Sequence, residues 1–161
     1  MANPVDETVR QPFSAFNFKV VIDVPGLSGE VCAAAFSDCD GLEQSLEIKT
    51  IREGGNNTRQ IRLPGPATFG TLTLKRGMTA NFDLWDWFSS QLEPGNAKLR
   101  GNATVSILAA DGQTERARFV LDRCIPIKLK APALSAKDGA VAVEELQLAY
   151  ENLRFTRPSP I

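Results

Sequence analysis

Apolar and polar residues alternate with a period of two over most of this chain, and the period changes once. Phe16, Phe18, Val20, Ile22 and Val24 alternate with Asn17, Lys19, Val21 and Asp23, which predicts a strand with one face in a core. "PGLSGE" breaks it, Val31 to Phe36 reads as a weaker strand, and Asp40-Gly41 reads as a turn. Leu46, Ile48 and Thr50 resume the alternation; "TRQIRL" and "ATFGTLTLKRG" carry it on through Leu72 and Leu74. After the helical stretch described next, Ala103 to Ala109, Ala117 to Leu121 and Ile125 to Leu129 alternate again, with Pro126 arguing for an edge or a bulge. "AVAVEELQLAYENLRF" fits either period; its β neighbours favour a strand.

The exception is "TANFDLWDWFSSQLEPG", where Leu84, Trp85, Phe88 and Leu92 form a helical stripe. Thr79 or Asn81 can cap its start, Asp83 and Asp86 suit the positive end of its dipole, and Pro94-Gly95 ends it. This predicts one helix of about 10–12 residues, with Trp85 packed inward and Trp87 partly at the surface or an interface. Eight or nine short strands around one helix make an all-β fold, an antiparallel β-sandwich or partial barrel, roughly the strand supply such a fold needs. Residues 1–13 read as a polar, proline-containing arm, 14–155 as the domain, and 156–161 as a tail.

Composition narrows the chemistry. The chain has 161 residues, a net charge of -1 and no histidine. The missing histidine removes the commonest general base, the Ser-His and Cys-His pairs and most zinc sites. The near-neutral charge gives no basic field for nucleic acid, and no nucleic acid is required for folding. No apolar run reaches the roughly 20 residues of a membrane span, so no direct membrane insertion is expected. The N-terminus lacks the apolar core of a signal peptide, so synthesis and assembly in the cytoplasm are expected. Three cysteines, Cys32, Cys39 and Cys124, include no C-x-x-C; they read as small buried hydrophobes.

No motif for catalysis, metal or cofactor emerges. "GGNNTRQIRLPGPATFG" lacks the lysine of a phosphate loop, and Asp38-x-Asp40-Gly41 lacks the remaining ligands of a calcium loop. Pairs such as Glu144/Glu145 read as solvated surface charge. The chain is therefore read as no enzyme and as needing no cofactor. Many short strands without a catalytic constellation leave open edges, and open edges can be used for assembly.

The residues from "REGGNN" to "LWDWF", Arg52 to Phe88, resemble the tail-tube proteins of contractile phage tails and of extracellular contractile injection systems of the antifeeding-prophage and virulence-cassette type. The resemblance rests on pieces in order: the aromatic-rich first strand, "SDCDGLE", the "REGG-N" loop, the "LPG" turn, the "LKRG" strand end, the "LWDWF" helix and the closing "VAVEELQLAYENL". It implies a subunit whose strands join those of its copies into a hexameric ring barrel. Rings would stack into an inner tube inside a sheath and be driven through a target envelope. The implied partners are the chain itself, a sheath protein, baseplate and spike proteins, and lumen cargo; the particle can be released from the cell.

It also implies roles for residues. Arg52, Glu53, Gly54, Gly55, Asn56, Asn57, Thr58 and Arg59 would form a loop reaching a neighbouring subunit. Asp83 and Asp86 would face the sheath, while Leu84, Trp85 and Phe88 hold the helix to the core. The long arm and the "LSGEVCAAAFSD" insert look more like the injection-particle branch, which carries several tube paralogues, so a tube initiator joining spike and tube is an alternative. A monomeric small-ligand-binding β-barrel is a further alternative of a different class.

Overall fold

The computed structural model describes residues 13–26, 36–55, 57–95 and 99–158, and the backbone of 30–34. Its elements are β1 (Phe18–Asp23), β2 (Glu30–Ala34), β3 (Asp38–Asp40), β4 (Gln44–Arg52), β5 (Gln60–Phe69), β6 (Thr71–Gly77), α1 (Asp83–Leu92), β7 (Gly101–Leu108), β8 (Glu115–Lys130), β9 (Val143–Ala149) and β10 (Asn152–Thr156). The expected arm falls outside the described residues except for Phe13. The last strand ends at Thr156, where the tail was expected to begin.

Eight strands form one antiparallel sheet in the order β2-β1-β7-β8-β9-β6-β3, with β10 also paired to β8. One core cluster joins Val20 and Ile22 of β1 and Val105 of β7 to Leu72 and Leu74 of β6 and Leu146 and Leu148 of β9. Strands from the two halves of the sheet thus share one interior, so the sheet curls around it. Among the described residues its terminal strands β2 and β3 are not paired with each other, which leaves a seam.

The sequence suggested two strands where β8 is one of 16 residues. Its first part pairs with β7 and β10, its second with β9. Arg123 takes a φ of 54° between them, and the buried positions change parity there: Ala117 and Leu121 point inward before it, Cys124 and Pro126 after it. Ile127 is consequently exposed, although simple alternation had grouped it with Ile125 and Leu129. A second register shift between Pro126 and Lys128 restores the first parity, so that Leu129 lies opposite Leu146.

The helix sits on this frame through a buried face different from the expected stripe. Leu84 and Trp87 are fully buried, Trp85 and Phe88 are half-buried, and Leu92 is exposed. Trp87 fits because a side chain at Gly101 would stand 3.2 Å from its ring. Trp85 instead donates its indole N–H to Glu144 Oε2 at 2.9 Å. Glu144 is buried and ion-paired to Arg76, not a solvated surface charge. Arg76 also donates to the carbonyl of Asn81 and lies over the Phe36 ring. The start of α1 is held by Asn81, whose Oδ1 accepts the Asp83 N–H at 3.0 Å. This pins the helix to the β6–β9 pair.

Candidate assembly surface

Strands β4 and β5 form a separate two-stranded sheet that shares no ladder with the main one. No residue of either strand is buried. The polar segment around Arg52–Arg59 is therefore the tip of a long hairpin. Arg52 closes β4, and Glu53 and the glycines turn the chain. Gly55 holds a φ of 91°, which a side chain would strain. Asn57, Thr58 and Arg59 return it to β5, exposed like the rest of the tip, and Asn56 lies outside the described residues.

Register separates the two faces, because residues opposite each other share a face and neighbours along a strand do not. One face carries Leu46 opposite Ala67 and Ile48 opposite Pro64 near the root, then Thr50 opposite Arg62 and Arg52 opposite Gln60 toward the tip. The other carries Ser45 bonded to Thr68 near the root, then Lys49 opposite Leu63 and Ile51 opposite Ile61 toward the tip. Each face is thus apolar at one end and polar at the other, in opposite senses. Leu46 is 57% exposed, Ile48 55% and Ile51 48%, a distribution that water does not favour.

The root of this hairpin is fixed. The Tyr150 hydroxyl donates to the carbonyl of Gly41 at 2.7 Å and accepts the Glu43 N–H at 3.1 Å. Gly70 donates to the carbonyl of Glu43 at 3.0 Å, and the rings of Phe69 and Tyr150 lie 5.9 Å apart. Gly41 has a φ of 99°, and a Cβ there would stand 1.9 Å from the Thr71 carbonyl oxygen. The "DGLE" stretch therefore works as an anchor for the hairpin.

On the opposite account, Asp83 and Asp86 are exposed in the first turn of α1. They are three residues apart and available on the outer side while Leu84 and Trp87 face in. Cys39 and Cys124 are free thiols. Burial pushes Cys39 up to about 11, with help from Asp40, and pushes Cys124 up to about 12, so both stay protonated at neutral pH. Among the described residues no cluster of acidic or thiol groups is arranged to hold a metal ion, and no helix is long and apolar enough to cross a membrane.

A family model described as the T4-like virus tail tube protein gp19 matches residues 14–154. The chain belongs to the tail tube protein family. This is a family of structural components, not of enzymes. Solved structures share its fold. A chain in the anti-feeding prophage baseplate aligns with a TM-score of 0.80 at 23% identity, covering 92% of this chain and 97% of that one. A chain in the sheath-tube complex of the PVC extracellular contractile injection system, in its extended state, gives 0.78 at 20% identity, covering 94% and 95%. A chain in the anti-feeding prophage tube-terminating cap gives 0.79 at 18% identity, covering 98% and 100%. No curated protein sequence matches the chain. The all-β fold with one helix is thus the tail tube fold.

Two parts of the tail tube subunit escaped sequence reading. The Arg76–Glu144 pair left a trace: Arg76 continues the buried series Leu72, Leu74, and Glu144 opens the buried series Leu146, Leu148. Two opposite charges in core phase on neighbouring strands mark a buried pair, and the register sets them directly opposite. The Tyr150 anchor left none, because its partners are main-chain groups 107 and 109 residues away.

Proposed function

We propose that this protein is the repeating subunit of the inner tube of a contractile injection system or phage tail. Copies associate as hexameric rings, rings stack inside a sheath, and the resulting conduit is driven through a target envelope when the sheath contracts. The observation that carries this reading is the β4–β5 hairpin, which is anchored at its root but offers apolar residues on both faces to solvent. Partners of the same kind, repeated around and along a tube, cover such surfaces in every copy. The likeness to chains in a sheath-tube complex, a baseplate and a tube cap supports it. Residues 14–155 supply the tube body, Arg52–Arg59 the contact to a neighbouring copy, and Asp83 and Asp86 the outward contact to the sheath. Assembly takes place in the cytoplasm.

Negative-stain microscopy of the purified protein, alone and with its baseplate and sheath partners, tests the proposal. Rings or tubes are expected. A protein that stays monomeric at high concentration with those partners present overturns it.

A further inference from the structure

A cleft of about 260 Å³ lies between β3, at one end of the curled sheet, and the β1–β7 pair. Phe18, Cys39, Leu42, Val105 and Ile107 line it, and Asp38 stands at its rim. Among the described residues β3 pairs only with β6, so its outer backbone edge is open to a further chain. The chain also carries a surface of the opposite character. The tip-side apolar face of the hairpin presents Ile51, Ile61 and Leu63 with Lys49 beside them.

Resting on the tube reading, we infer that the hairpin of one copy seats in the seam cleft of another copy. Ile51, Ile61 and Leu63 cover the apolar wall, and Lys49 meets Asp38. Charge and polarity select this pairing. The cleft is apolar with Asp38 at its rim, opposite Lys75 of β6, and this hairpin face is apolar with Lys49 beside it. The other hairpin face puts Arg62 and Arg52 at the same height, and their guanidinium groups would have to leave water for the apolar wall. The match accounts for one of the two exposed apolar patches and leaves the root-side patch, Leu46 and Ile48, for a different contact.

Two single-cysteine variants test this, Lys49→Cys and Asp38→Cys, each carrying Cys32→Ser, Cys39→Ser and Cys124→Ala. They are assembled as a mixture, oxidised and resolved by mass. A dimer containing one of each is expected, and none from Lys49→Cys mixed with Ala110→Cys, which places the thiol at the β7–β8 turn. Assemblies of normal appearance without the mixed dimer overturn the inference while leaving the tube reading intact. Charge exchange provides a second readout that survives failure of the cysteine variants. Lys49→Glu alone should leave roughly a tenth of the wild-type tubes, because like charges then face each other. Lys49→Glu with Asp38→Lys should restore them, and a double variant no better than the single overturns the pairing. Wild-type protein that forms neither rings nor tubes sinks the tube reading and this inference with it.

Discussion

The Tyr150 hydroxyl donates to the Gly41 carbonyl across 2.7 Å, joining the end of β9 to the turn that leads into the β4–β5 hairpin. The same oxygen accepts the Glu43 N–H. Tyr150→Phe keeps the ring against Phe69 but leaves both main-chain groups without that partner. The expected loss is about 1–3 kcal/mol, read as a lower denaturation midpoint. Hydrogen exchange should accelerate at Glu43 before it does in β7 or β9. Uniform acceleration throughout the sheet would argue that the hydroxyl does not anchor the hairpin specifically.

The Arg76–Glu144 pair is enclosed, so removing one partner should cost more than replacing both. Glu144→Ala removes the carboxylate that pairs with the Arg76 guanidinium and accepts the Trp85 indole N–H, an expected loss of about 3–5 kcal/mol. Arg76→Met with Glu144→Leu should lose less than Glu144→Ala alone. Chemical denaturation of the two variants checks the order.

Acid should weaken the β7–β8 turn through Asp111. Its carboxylate accepts the Thr114 hydroxyl and the Gln113 and Thr114 N–H groups, and these bonds lower it from the ordinary 3.8 to about 2. The unfolded chain therefore binds this proton first. The stability it contributes is present above about pH 3.8 and is lost as pH falls toward 2. Asp111→Asn should flatten the dependence of stability on pH between those values. An unchanged slope would remove Asp111 from the account.

At the hairpin tip, folding and assembly should separate. Replacing Arg52 and Glu53 with Ala changes exposed side chains, so the monomer should lose about 0.5 kcal/mol or less. Contacts across a repeated interface are lost in every copy. Near-wild-type melting with few or short tubes is the expected result, and tubes of normal length and stability from the double variant would refute the role.

Charge reversal on the outer side of the helix tests the proposed sheath contact. One exposed ion pair contributes about 0–1 kcal/mol, weak enough to break on contraction and numerous enough along a shaft to hold a sheath. Asp83→Lys with Asp86→Lys should leave naked tubes intact and reduce sheathed ones. If the aspartates serve only the helix dipole, melting falls while sheathing persists. Counting sheathed and naked particles beside a melting curve decides.

Legibility in the sequence followed the range of the forces involved. Alternation at Val20, Ile22, Leu72 and Leu74 is set by one core, and those residues are buried. Alternation at Leu46 and Ile48 looks identical, yet both are exposed, because period two reports a sheet face and not what covers it. On the helix the sequence pattern points to the wrong tryptophan as the buried one, because Trp85 and Trp87 are both aromatic. The choice between them depends on Gly101, which alone leaves room for the buried ring. The parity change at Arg123 was hidden because a residue in the left-handed region carries no composition signal when it is not glycine or asparagine. The polarity of the tip segment was legible, but the faces of the hairpin depend on a register shift between Leu46 and Ile48.

Because β8 crosses the change of parity without a break, it is a covalent load path. Force entering the part paired with β7 and β10 reaches the part paired with β9 through main-chain bonds, not through side-chain packing. The hydrogen bonds of β7, β9 and β10 to β8 run across the pulling direction and share the load in shear instead of opening one at a time. A projectile built from this subunit would yield at the contacts between copies before its own sheet tore. If copies associate as proposed, the place to look for mechanical failure is therefore the contact between copies, not the curled sheet.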